Sequence, residues 1–399
     1  MHDLIPVAEA RAHVLASARR LPTERVELAA ALGRTLAGAV ASPVALPPFD
    51  TSAMDGFAAR LSDLAVLPAR LPVAATVHAG DAPPPPLAPG RAVAIMTGAP
   101  LPDGADAVVP VEWTSRDGDR VRIERAPLAG QFIRRRGGAL SSGAELLAAG
   151  HAVTPAAIAV AAAVGLATLP VVRRPRVAVV ATGDELVAPG SDLRPGQIWN
   201  ANGPGLAAQV VAAGGVVDGP HHALDTADAV SAVLDASSAA DVLVFAGGVS
   251  MGERDLVRPE LERRGVAWAF WGVAQRPGKP FAFGVHDGRP VLGLPGNPVS
   301  AAVGFEVYVR PLLGRLLGRP SPAPLRATLA EAIDTPVGLH TFARVRAHRD
   351  GDGISLTSAG AQGSHIARTL LDADGLAHLP ADWDDAPAGS IVDYSPWAW

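Results

Sequence analysis

The sequence has no cysteine among its 399 residues. Disulfides and thiolate metal sites are therefore excluded, and the composition suits a reducing compartment such as the cytoplasm. A charge excess is missing too: the formal net charge is -5 and the pI is near 6.1. A nucleic-acid partner would need a basic face, which this balance argues against. The first residues, Met1-His-Asp-Leu-Ile-Pro6, lack the basic-then-apolar pattern of a secretory signal. One run, residues 152–172, is long and uncharged, but it is mostly alanine and is interrupted by Pro155, Gly165 and Pro170. It predicts a short helix followed by a strand, not a membrane span.

What is present is a repeated punctuation between residues 176 and 300. The apolar run Val177–Ala181 breaks at Thr182-Gly-Asp-Glu-Leu186, and Val242–Ala246 breaks at Gly247-Gly-Val-Ser250. A third run, Val291–Leu294, breaks at Pro295-Gly-Asn-Pro-Val-Ser300. Buried-strand patterns that each end in a glycine-containing turn with Asp, Ser or Asn predict strands of one open parallel sheet. In such sheets the turns gather at the carboxyl edge, where ligands bind.

The length implies two to four domains, and the expected fold is multi-domain, α/β and β. Residues 1–45 plus 138–174 read as an extended N-terminal helical and linker part, and 46–137 as a β-rich lobe of short strands. Residues 175–318 read as a central doubly wound α/β domain. Residues 319–399 read as a small C-terminal β domain, entered through Gly318-Arg-Pro-Ser-Pro-Ala-Pro324. Helices are expected over Pro6–Arg20 and Leu28–Leu36, with the alanine-rich helix after Pro155 returning onto the first of them. A hairpin is expected around Asp287-Gly288, and a long helix, Val299–Leu317, closes the α/β domain.

Asp184, Glu185, Asp225 and Asp255 fall at or near loops of that domain. Carboxylate oxygens suit a hard cation such as Mg²⁺ shared with substrate phosphates; for Asp225 and Asp255 the plainer reading is helix capping or exposed loop charge. Arg276-Pro-Gly-Lys-Pro280 sets two cations three residues apart on a proline-stiffened turn, a spacing suited to an oxyanion. Pro295-Gly-Asn-Pro298 precedes a helix whose free N–H groups favour anions. Arg134-Arg-Arg136 alone reads as a solvated face.

These motifs, with Phe49-Asp-Thr-Ser-Ala-Met-Asp-Gly-Phe57, Ile95-Met-Thr-Gly-Ala99, Ile133-Arg-Arg-Arg-Gly137 and Gly363-Ser-His365, follow one another through nearly the whole chain. In that order the sequence resembles the molybdopterin molybdenumtransferase (molybdenum insertase) family, which includes the E domain of gephyrin. The resemblance implies a homodimer of four-domain subunits. It also implies a reaction in which adenylated molybdopterin and molybdate give molybdenum cofactor and AMP, with Mg²⁺. By motif it implies that Asp55, Thr97, Glu185, Asp225 and Asp255 belong to the substrate cleft, the metal lying at Glu185, Asp225 and Asp255. Lys279, Arg276, Pro280, Ser300, Arg344 and Ser364 would form the molybdate side. Gly183, Asp184, Gly247, Gly248, Ser250, Pro295, Gly296, Asn297 and Pro298 would line the substrate.

Four positions depart from the family pattern. Gly138-Ala139 stands where an acidic pair is usual, Gly272 and Arg276 where lysines are usual, and Thr51 where asparagine is usual. Loss of charge at Ala139 and Gly272 predicts a slow insertase whose turnover rises when aspartate and lysine are introduced there. The alternative is a gephyrin-like scaffold dimer that binds a protein partner with weakened catalysis. A stand-alone adenylyltransferase, which would share only the central domain, is disfavoured by the motifs at both ends.

Overall fold

The computed structural model describes residues 4–248, 257–351 and 353–398. Its centre is a six-stranded sheet in the order Val216–Ala223, Arg176–Thr182, Val242–Ala246, Arg289–Leu294, Ala282–His286, Ala267–Trp271. The first four strands are parallel, and the last two run antiparallel as an edge. Val177 to Ala181 and Val242 to Phe245 are all buried, as expected of strands covered on both faces. Each fully buried valine or leucine contributes about 1.5–3 kcal/mol. Apolar packing therefore fixes the sheet, and the turns at its carboxyl edge are left free to vary. The hairpin forms where expected. Asp287 (φ 50°) and Gly288 (φ 77°) both take the left-handed conformation that a two-residue turn of this twist requires.

The closing helix is continuous but not uniform. Pro298–Gly304 and Arg310–Leu316 are α-helical, and Phe305–Val309 between them is a π turn. Pro311, just beyond it, has no N–H to return to residue 307, so the irregularity falls where the ladder is already broken.

Two expectations for the N-terminal part are corrected. The predicted helix Leu28–Leu36 is only Leu28–Ala31. Gly33 turns the chain at φ 71°, after which the Gly33 and Leu36 N–H groups donate to Val153 O and His151 O at 2.9 Å. Pairing with the returning segment replaces helical bonds that a run this short could not sustain. The alanine-rich helix, Pro155–Ala163, does not return onto the first helix. It is capped by Thr154, whose Oγ1 accepts from Ala157 N at 3.2 Å, and packs with Ala31, Leu36 and Leu169. The strand after it, Thr168–Val172, pairs antiparallel with Thr23–Glu27. The first helix, Val7–Ala16, instead buries Ala10 and Val14 in the α/β core.

The β lobe is a six-stranded sheet in the order Ala107–Pro110, Gly56–Ala59, Ala92–Ile95, Ala69–Val77, Arg120–Ile123, Thr114–Asp117. The C-terminal strands close on themselves as a small barrel, because His340–Asp350 pairs with both Gly353–Ser358 and Gly375–Leu379. A two-residue strand of the central domain, Gln275–Arg276, adds to the barrel at His340 and Thr341. No helix among the described residues is long and apolar enough to cross a membrane.

Candidate active site

The turns expected at the carboxyl edge are there and hold one another. The Asp225 N–H donates to Asp184 Oδ1 at 3.0 Å, and His222 Nε2 lies 2.8 Å from Gly183 O. The Gly247 N–H donates to Leu294 O at 3.1 Å. Asn202 Nδ2 donates to Gly296 O at 2.7 Å, tying the start of helix Asn202–Ala212 to the Pro-Gly-Asn-Pro turn. Gly247 has φ 94°, and a Cβ there would lie 2.7 Å from Thr182 O, so only glycine lets the two turns approach. Thr182 is buried, and its Oγ1 has no partner among the described residues. An orphaned hydroxyl at this edge is a group a ligand can satisfy. Ser250 and Asp255 lie outside the described residues.

Among the described residues, no three His, Asp or Glu side chains assemble as a metal cage. Asp184, Glu185 and Asp225 nevertheless bring hard oxygen donors to this edge. That donor set fits Mg²⁺ held partly by substrate phosphates and water, the usual arrangement for this ion.

The cation turn is built by the junction between the α/β domain and the barrel. Gln275 is buried, and its Nε2 donates to the carbonyls of Pro277 (3.2 Å) and Gly278 (3.1 Å). Tyr308, in the π turn, donates its hydroxyl to Gln275 Oε1 and stacks on Phe281 at 4.0 Å. The turn lies against the helix start, since a Cβ on Gly278 would sit 3.7 Å from Ser300 O and 3.8 Å from Pro295 Cγ. Lys279 is exposed, and while its carbonyl accepts from Val273 N–H at 2.9 Å, its ammonium makes no hydrogen bond or ion pair among the described residues. It is also the only lysine in the sequence. Arg276 is less free, because its Nη1 meets Asp334, 85% exposed, at 3.1 Å.

Arg344 and Ser364 reach this junction from the barrel. Asn297 Nδ2 donates to Ser364 Oγ at 3.1 Å, and Val299 N–H donates to Ser364 O at 3.3 Å. Arg344 is fully buried. Its Nε donates to Thr369 Oγ1 at 2.8 Å, and its Nη2 donates to Ala361 O and Gly363 O at 3.3 Å. Nη1 is its one nitrogen on the guanidinium without a partner among the described residues. Burial, with a smaller push from the Arg276 charge, lowers its pKa to about 10, so it is still a cation at neutral pH. Pro280, Pro295, Gly296, Pro298 and Ser300 belong to the same junction by sequence. Gln275, Tyr308, Asn202 and Thr182 were not singled out by sequence reasoning. Asn202 and Tyr308 act through single hydrogen bonds to segments far away in the chain, and Thr182 through an unpartnered buried hydroxyl, neither of which leaves a local pattern.

The lobe residues are a separate cluster. Asp55 Oδ1 accepts from Thr97 N (2.7 Å) and Thr97 Oγ1 (2.8 Å), and those two bonds hold its carboxyl below the usual range. Of the three arginines at 134–136, Arg135 pairs with Asp50 at 2.6 Å, and the Arg136 N–H donates to the same carboxylate at 2.7 Å. Asp55 and Thr97 bond one another, and among the described residues no hydrogen bond or ion pair joins either of them to Asp184 or Glu185.

The proposed charge repair is corrected at one position. Gly272 has φ 98°, and a Cβ there would lie 2.9 Å from Leu4 Cδ2. Its backbone is clamped on both sides: its N–H donates to Phe281 O at 2.8 Å, and its carbonyl accepts from Ile5 N–H at 3.3 Å. A lysine would be strained and would meet the N-terminal segment. Ala139 is exposed and open.

Three family profiles divide the chain. One described as MoeA N-terminal region (domain I and II) matches residues 5–165, and one described as probable molybdopterin binding domain matches residues 178–315. One described as MoeA C-terminal region (domain IV) matches residues 326–397. Molybdopterin molybdenumtransferase 2 of Mycobacterium tuberculosis is 42% identical over 378 residues, spanning 92% of this chain and 93% of its own. Molybdopterin molybdenumtransferase of Synechococcus elongatus is 40% identical over 394 residues, spanning 95% and 96%. A molybdopterin biosynthesis MoeA protein from Pyrococcus horikoshii has the same fold at TM-score 0.86 and 32% identity, covering 99% of both chains.

Proposed function

The chain belongs to the molybdopterin molybdenumtransferase family, and from that membership we propose that it inserts molybdate into adenylated molybdopterin with Mg²⁺-dependent release of AMP. It is an enzyme of molybdenum cofactor biosynthesis, and relatives named for that transfer favour turnover over a scaffold role. The observation that carries the mechanistic reading is the meeting of the cation turn, the start of the 298–316 helix and Ser364 at one junction.

Molybdate is a tetrahedral oxyanion, and binding it takes cations and N–H donors in place of water. Lys279 supplies a mobile point charge, and the helix start supplies backbone N–H groups. Arg344 holds the 361–363 carbonyls and so keeps Ser364 against Asn297. The molybdopterin lies along the sheet edge, over Gly183, Gly247, Gly248 and Gly296, where Thr182 offers its hydroxyl. Glu185 and Asp225, with Asp255 beyond the described residues, would hold Mg²⁺, which when bound neutralises charge on the phosphates as AMP leaves.

The test follows AMP release from adenylated molybdopterin with and without molybdate. Molybdate-dependent AMP release without ATP consumption is expected. Lys279→Ala should raise the KM for molybdate roughly tenfold, the low end for a charge-assisted bond at an exposed position. Molybdate should also protect Lys279 from acylation. ATP consumption, or an unchanged KM together with no protection, would overturn the assignment.

A further inference from the structure

A cavity lies away from the sheet edge, and nothing in the insertion reaction uses it. It is bounded by the first helix, the far end of the 298–316 helix, the 319–325 linker and the barrel, and encloses about 500 Å³. That volume is in the range of small-molecule sites, which favour domain interfaces. Fourteen residues separate Ser300 from Gly314 on the cavity wall, about 21 Å along a helix axis.

The charges in it do not balance. Arg11, Arg310 and Arg319 line the cavity, with Glu306 as the acid facing them. Glu306 is already saturated: Arg310 donates to it at 2.6 and 3.0 Å, and Gln209 Nε2 donates at 2.9 Å. Arg319 donates only to neutral acceptors, namely Thr35 Oγ1 at 2.8 Å, Gly33 O at 2.9 Å and Ala213 O at 3.4 Å. Burial lowers its pKa, with the charges of Arg174 and Arg310 acting in the same direction. The Arg11 side chain makes no hydrogen bond or ion pair among the described residues. His378 also faces the cavity, but burial holds it near pKa 4, so it is neutral at pH 7 and bonds Ser395 Oγ at 2.9 Å. Two arginines are thus left without a counter-charge inside walls formed largely by prolines, Val307 and Leu376.

We propose that this cavity binds a small amphipathic organic anion, an aromatic or aliphatic body carrying one carboxylate, sulfonate or phosphate. The apolar walls take the body, and Arg11 with Arg319 faces the anionic group. An anion there offsets the charge of half-buried Arg319, which Arg174 and Arg310 already oppose, and each charge-assisted contact is stronger than its counterpart in water.

Gly314 gives a clean test. It lies in the helix, lines the cavity, and a Cβ added to it meets no atom within 4 Å beyond its chain neighbours and its own helix's backbone. Gly314→Phe should therefore fold, since glycine is the poorer helix former, and should fill the space. The probe is 1-anilinonaphthalene-8-sulfonate, titrated by fluorescence and calorimetry against the full chain. One site per chain is expected, abolished by Gly314→Phe and weakened at least fivefold by Arg11→Ala. The uncharged N-phenyl-1-naphthylamine should bind at least tenfold more weakly and ignore Arg11→Ala. Equal binding of both dyes would reduce the site to an apolar cavity and overturn the proposal. So would sulfonate binding that survives Gly314→Phe. If Gly314→Phe does not fold, Arg11→Glu takes its place, and retention of binding by it refutes the assignment. None of these readouts depends on insertase turnover.

Discussion

Gly272 shows a backbone angle outranking a missing charge. Its φ of 98° and the nearby Leu4 make Gly272→Lys a stability variant rather than a repair. Holding a long side chain in that region costs about 1–3 kcal/mol before any displacement of Leu4. The expected outcome is a lower Tm with no rise in AMP release, read by thermal unfolding beside single-turnover kinetics. A higher rate at an unchanged Tm would restore the view that an absent cation limits turnover. Ala139→Asp, at an exposed position with no such restriction, should leave the Tm where it is.

At the scale of elements, the π turn and the cation turn are joined by one hydrogen bond. Tyr308 holds Gln275, and Gln275 holds the Pro277 and Gly278 carbonyls. Tyr308→Phe removes the hydroxyl and keeps the stacking on Phe281. It leaves a buried amide oxygen unpaired, at about 1–3 kcal/mol, and loosens the turn that carries Lys279. The KM for molybdate should rise several-fold, with the KM for adenylated molybdopterin unchanged. An equal change in both constants would mean a general loss of structure.

The barrel carries a pH dependence of its own. His378, in strand Gly375–Leu379, is held near pKa 4, first by burial and then by the charges of His340 and Arg11. The folded pKa is depressed, so below about pH 6.5 the unfolded chain takes up a proton that the folded chain refuses. Stability is then lost progressively as pH falls from about 6.5 to about 4, and the loss is about 3 kcal/mol in all. His378→Phe cannot titrate and should lower the slope of urea-unfolding stability across that window, leaving the part that His340, also depressed by burial, contributes. Identical slopes in the two proteins would place the titration elsewhere.

At the scale of the whole molecule, Asp55 and Thr97 of the lobe make no hydrogen bond or ion pair with Asp184, Glu185 or Lys279 of the α/β domain among the described residues. A homodimer in which the lobe of one copy faces the sheet edge of the other would unite them. Asp55→Asn and Lys279→Ala should each be impaired alone. Mixed after refolding together, they should recover about a quarter of wild-type AMP release, because half the dimers are mixed and each has one intact site. No recovery, with dimers confirmed by light scattering, would place the whole site within one chain.

The sequence by itself determined the parallel strands, the carboxyl-edge turns, the hairpin at Asp287-Gly288 and the order of the family motifs. These are local signals: an apolar run long enough to be buried, a glycine that can take positive φ, a proline that stiffens a turn. It misread residues 28–36, because a short apolar run has the same appearance whether it continues as a helix or turns to pair with residues 151–153. Tertiary structure alone decided that Gln275 and Tyr308 support the cation turn and that Arg344 is buried, holding the loop before Ser364. It also left Arg11 and Arg319 facing a cavity without a counter-charge. Each of these depends on which distant groups burial brings within hydrogen-bonding or Coulomb range, and no spacing along the chain encodes that distance.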